Sequence, residues 1–284
     1  MKFVWEVLKG MVIGLANIIP GVSGGTMMVS MGIYDQLIYS INHLFTSFKK
    51  SIRFLFPYVL GMLVAIGALS FALKWAFQQY PLPTNTLFIG LILGGLPAIL
   101  RQIKGEKIGV PGIILFLLAF ALIIVLPLMS QGTNVHIQLS VLEVIKLFFI
   151  GMLASATMVI PGVSGSMVLK IIGYYEPLVT GALPDLIKGL SKFDMGLAGP
   201  SIGMLLPFAV GIVVGILAIA KLIEVLLARW KGYTYSAIIG LVAASPVAIL
   251  MGTAMAGVTW VIILVSVVTF AVGFLVAWKL SEKG

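Results

Sequence analysis

The chain has 284 residues, 61% of them hydrophobic and only 10% charged, with a formal net charge of +9 and a mean hydropathy of +1.18. That balance excludes an ordinary soluble domain and points to a helical protein that crosses the membrane several times; the positive charge then belongs to Lys- and Arg-rich cytoplasmic loops rather than to a nucleic-acid partner. Cysteine is absent, which excludes disulfides and thiolate metal sites.

In chain order, the first element is a region over 3–41 centred on Pro20-Gly21-Val22-Ser23-Gly24-Gly25-Thr26. No small-residue cleavage site follows its first apolar stretch, so it reads as retained structure rather than a signal peptide. Glu6 and Lys9 precede ten apolar-leaning residues, and the motif is followed by a short run to Tyr34-Asp35. Ten helical residues rise about 15 Å, half of a hydrocarbon core of about 30 Å. The spacing therefore predicts a re-entrant hairpin that breaks near the midplane, with a full-depth hairpin as the alternative. Apolar spans are predicted at 54–78, 85–100 and 109–129. A second hairpin over 141–181 carries Glu143 and Lys146, then Pro161-Gly162-Val163-Ser164-Gly165-Ser166, then Tyr174-Tyr175-Glu176. Spans at 203–228, 234–251 and 257–278 complete the chain.

The two motifs lie 141 residues apart, and Gly32-Ile33-Tyr34-Asp35 matches Gly173-Tyr174-Tyr175-Glu176 at the same offset. Pro57-Tyr58-Val59-Leu60-Gly61 matches Pro207-Phe208-Ala209-Val210-Gly211 at an offset of 150, as Ala98-Ile99-Leu100 matches Ala248-Ile249-Leu250. The expected fold is an all-α polytopic membrane protein of one membrane domain, built from repeats 1–129 and 141–279. Each repeat is one hairpin and three transmembrane helices. With a cytoplasmic N-terminus, Lys49, Lys50 and Arg53 fall inside, as do Arg101, Lys104 and Lys107, Arg229 and Lys231, and Lys279 and Lys283. The loops at 79–84, 130–140 and 252–256 fall outside and hold no Lys or Arg. Only the loop at 182–200, with Lys188 and Lys192 beside Asp185 and Asp194, departs from the positive-inside pattern. Three spans separate the hairpins, so the repeats are expected to be inverted, with both termini cytoplasmic, as in alternating-access transporters.

Paired breaks in an apolar chain mark a transporter's binding site. Helix N-termini exposed there attract phosphate and carboxylate groups, and glycine lets the backbone approach them closely. The candidate substrate site is Gly21, Ser23, Gly24, Gly25 and Thr26 with Gly162, Ser164, Gly165 and Ser166. The competing reading is a small-residue packing contact between hairpins. Lys170, one turn past the second motif among apolar residues, adds a cation for an anionic headgroup unless it snorkels to the surface. Asp35 and Glu176 read equally as ion-coupling groups or as solvated carboxylates. Lys221 and Glu224 are spaced for an ion pair on one helix. Gly21-Val22-Ser23-Gly24-Gly25 fits a serine-hydrolase pattern, but His43 and His136 fall in loops and leave the serine without a base, so no catalytic residue is expected. No metal or cofactor is implied.

The paired motifs, each followed by G-x-Y-[DE], resemble the bacterial membrane family catalogued as domain of unknown function 368, the polyprenyl-phosphate (undecaprenyl phosphate) transporters. The resemblance covers nearly the whole chain. It implies a plasma-membrane protein that returns the lipid carrier undecaprenyl phosphate to the cytoplasmic leaflet for cell-envelope synthesis. It also implies a headgroup site over Ser23–Thr26 and Ser164–Ser166. Lys170 has no counterpart in that pattern. The implied partners are the polyprenyl-phosphate lipid and membrane lipids, and a homo-oligomer stays open. The alternative is an ion-coupled transporter of a small soluble anion; a lipid-modifying enzyme is the third class weighed.

Overall fold

The computed structural model describes the chain apart from Met1, residues 19–22, 66–69, Lys107, 130–134, His136, Ser164, Ala254, Ala256 and 283–284. All regular structure among the described residues is helical. The first hairpin contains α1 (Lys2–Ile18), α2 (Gly24–Ser30) and α3 (Tyr34–Asn42). The first expected span is divided into α4 (Phe48–Val64) and α5 (Ser70–Gln79), and α6 (Pro81–Gln102) and α7 (Gly109–Val125) follow. The second half repeats the layout with α8 (Val141–Val159) and α9 (Gly165–Ile171), then a π-helical turn (Glu176–Ala182) and α10 (Leu183–Ser191). Its last helices are α11 (Met195–Arg229), α12 (Lys231–Met251) and α13 (Trp260–Glu282). Four of the described helices, α6, α11, α12 and α13, are long and apolar enough to cross a membrane, and α7 is a shorter apolar helix.

Two boundaries differ from the sequence expectation. The first arms of the hairpins have 17 and 19 residues, about 26 and 29 Å of helix rather than the 15 Å inferred above. Glu6, Lys9, Glu143 and Lys146 all lie within these helices. Ser140 starts α8 by accepting a hydrogen bond from the Glu143 N–H at 3.2 Å, a helix cap upstream of the charges. The segment 182–200 is not a loop. It holds α10 and the first turns of α11, which Asp194 caps by accepting from Gly196 N–H at 2.9 Å and Leu197 N–H at 3.3 Å.

Glycine sets how the helices approach one another. Gly10 lies on the Tyr58 carbonyl and Gly61 on the Val7 carbonyl, which joins α1 to α4 in parallel. Gly151 lies on the Phe208 carbonyl and Gly211 on the Phe148 carbonyl, which joins α8 to α11 in the same way. A Cβ at any of these positions would overlap the facing backbone, so only glycine permits the contact. The partners correspond: Gly10 and Gly151 are 141 apart in sequence, and Tyr58 and Phe208 are 150 apart. Contacts also cross between the halves. Gly90 and Gly94 seat α6 on the Phe270 and Phe274 carbonyls of α13, while Gly240 seats α12 on the Phe116 carbonyl of α7.

The equivalent helices α6 and α12 run antiparallel at the centre. Asn85, near the start of α6, donates to Thr253, just past the end of α12, at 2.8 Å. At the other end, Ile99 and Gln102 share a small cavity with Tyr235. The apolar stretches of α6 and α12 are 56% and 67% buried, against 11% and 17% for α11 and α13, which turn their apolar sides outward.

Candidate substrate-binding site

The two breaks meet. Ser23 precedes α2 in the extended conformation usual for a helix cap (φ −107°, ψ 129°), yet its side chain does not cap α2; its Oγ donates to the Ile160 carbonyl at 3.5 Å instead. One turn on, Thr26 is fully buried, and its Oγ1 accepts a hydrogen bond from the Gly162 N–H at 2.6 Å. Gly25 lies on the backbone of residues 159–161, where a Cβ would stand 3.0 Å from the Val159 carbonyl oxygen. Tyr34 completes the contact by donating from its hydroxyl to the Val159 carbonyl at 3.1 Å. Tyr34 and Ser23 of the first hairpin thus take up carbonyls left open where α8 ends at Val159, and Thr26 takes the N–H of Gly162 just beyond it. Gly162 takes a left-handed conformation (φ +84°) against the Leu241 carbonyl, a position that rejects any side chain on both counts.

Ser23, Gly25, Thr26 and Gly162 are therefore brought together, and Gly24 packs beside them on the Asn17 side chain. Gly165 opens α9, and Ser166 is half-buried in its first turn. Gly21 and Ser164 lie outside the described residues, as does His136. Lys170 is exposed in the last turn of α9, with its Nζ 4.8 Å from the centre of the Tyr175 ring. Asp35 and Glu176, equivalent in sequence, sit in unlike settings. Both oxygens of Asp35 accept from the buried Tyr235 hydroxyl, at 2.7 and 2.8 Å. Glu176 is exposed, accepts from Thr180 Oγ1 at 2.6 Å, and lines a cavity of about 450 Å³ together with Asp185.

Two further residues belong to this description. In the sequence, the signal for Tyr34 is the recurring G-x-Y-[DE] phrase. Lys9, though charged, is 3% exposed and donates to the Met31 carbonyl, at the end of α2, at 3.4 Å. Its spacing from Ile13 and Ala16, both buried, places it on the inward stripe of α1. Lys221 and Glu224 form the expected ion pair at 2.8 Å, and Glu224 also accepts from Asn42 at 3.0 Å. His43 contacts the Tyr39 carbonyl and Glu224, and no contact to Ser23 is among its bonds.

The sequence matches the VCA0040-like, undecaprenyl phosphate translocase-like family over residues 13–262. The chain belongs to this family. A polyprenyl-phosphate transporter of Staphylococcus aureus (strain NCTC 8325 / PS 47) is 35% identical over 288 residues, covering 99% of this chain and 97% of its own. A polyprenyl-phosphate transporter of Vibrio cholerae serotype O1 is 29% identical over 260 residues, covering 85% of this chain and 75% of its own. No solved structure matches.

Proposed function

We propose that the chain carries a polyprenyl phosphate, with undecaprenyl phosphate as the substrate, across the bacterial plasma membrane by alternating access, so that the carrier lipid is reused in envelope synthesis. The observation that carries this reading is the junction of the two breaks, where the Gly162 N–H, the Ser23 hydroxyl and the Thr26 hydroxyl converge. All three are hydrogen-bond donors, the chemistry that a phosphate oxygen needs in a site away from water. In the described state they bond to one another's segments, so the junction is closed. Parting of the hairpins frees the same groups for the headgroup. Gly21, Gly24, Gly25, Ser164, Gly165 and Ser166 complete the proposed site, and Lys170 is the cation nearest in sequence to the second break.

The antiparallel course of α6 and α12 and the matched glycine contacts support a single domain of two inverted repeats, 1–129 and 141–279; the Lys and Arg at 49–53, 101–107, 229–231 and 279–283 favour cytoplasmic termini. Asp35, tied to Tyr235 of the other repeat, is the proposed coupling carboxylate. Its bond would break if the hairpin moved relative to α12.

Purified protein titrated with undecaprenyl phosphate, undecaprenol and a soluble phosphate ester tests the reading. Binding of the lipid phosphate alone, weakened by Ser23→Ala and by Thr26→Val, is expected. Equal binding of the soluble ester overturns the lipid assignment, and normal binding in both variants overturns the site.

A further inference from the structure

α1 and α4 touch closely where Gly10 meets Tyr58 and Gly61 meets Val7. Beyond that contact, toward the N-terminal ends of both helices, they leave a cavity of about 880 Å³. Lys2, Lys49, Lys50 and Arg53 line it with a single carboxylate, Glu6. The ion pairs among the described residues involve Glu143 and Glu224, so none of these four cations is neutralised by one. Part of the same wall is apolar and open: Phe3, Phe48 and Phe56 are 49%, 59% and 55% exposed. The other described cavities have no cation on their walls.

Basic residues at a membrane surface are ordinarily spread out and solvated. Here they are gathered on one concave wall together with aromatic rings, which fits a molecule that is anionic at one end and hydrocarbon at the other. A phosphomonoester carries a charge of about −1.5 to −2 near neutral pH and offers three acceptor oxygens. Several lysines and one arginine match that dianion better than the single charge of a phosphodiester headgroup, with the arginine able to grip two oxygens at once.

We propose that this groove docks the phosphomonoester headgroup of a polyprenyl lipid at the protein surface, next to the membrane and separate from the junction of the breaks. The proposal rests on the transport reading above and adds a second place where the substrate is held. The polyprenyl chain lies along the phenylalanine wall, and the lysines hold the headgroup before or after its passage.

The test uses full-length protein in phosphatidylcholine vesicles with a diazirine-bearing polyprenyl phosphate, photolysed and mapped by peptide. Label is expected within 2–6 or 48–56, reduced about tenfold or more in Lys49→Gln/Lys50→Gln/Arg53→Gln. It should persist in Lys49→Arg/Lys50→Arg, which keeps the charge and guards against loss through misfolding. Label at the motif peptides alone overturns the groove while leaving the transport reading intact. Label at neither place overturns both. Loss of the groove label to excess phosphatidylglycerol, with the motif label retained, overturns the phosphomonoester assignment.

Discussion

Thr26 shows how much one hydroxyl does at this junction. Its Oγ1 is the partner of the buried Gly162 N–H, so Thr26→Val, nearly the same in shape, leaves that donor unpaired at a cost of roughly 1–3 kcal/mol. Thr26→Ser keeps the oxygen and is expected to unfold near the wild-type temperature in detergent, with Thr26→Val clearly below it. Tyr34→Phe removes only the bond to the Val159 carbonyl and should cost about 1 kcal/mol. Sequence reasoning located Ser23 and Thr26 at a break because Pro and Gly act locally on the chain. It did not reveal that their partners are the backbone at Ile160 and Gly162, at the start of the other break, since those contacts span 137 and 136 positions and no local pattern encodes them. The burial of Lys9 is hidden from the sequence for a related reason: only the packing of α2 against α1 shows what covers it.

At the scale of elements, glycine seams govern the result. Gly61 and Gly211 are equivalent in sequence, and each lies on the carbonyl of an equivalent partner, Val7 or Phe148. Gly61→Ala and Gly211→Ala should each destabilise by about 1–3 kcal/mol, measured as a loss of thermal stability. A large effect at one position and none at the other would argue against the equivalence. The apolar runs made most helices readable, because a span needs length and hydrophobicity and little else. Their ends were less readable. The Asp194 cap starts α11 at Met195, upstream of the span expected from 203.

At the scale of the molecule, the reading of inverted halves makes a direct topological prediction. With no native cysteine, any introduced thiol is unique. Lys104→Cys should react with an impermeant maleimide only from the cytoplasmic side, and Gly252→Cys only from outside; labelling of both from one side would overturn the orientation. Tyr235→Phe removes the hydroxyl that holds Asp35 across the halves, and slower transport with unchanged expression is expected in a vesicle flux assay. The pairing of α6 with α13 and of α7 with α12 also bears on how such a chain is assembled. Each half lends helices to the other, so a half made alone exposes bare glycine grooves to lipid and lacks the backbone that fits them. Fragments 1–129 and 141–284 produced separately in one cell are therefore expected to find each other and copurify, so that the covalent link between them acts as a tether and the fold is, in substance, a dimer written as one chain.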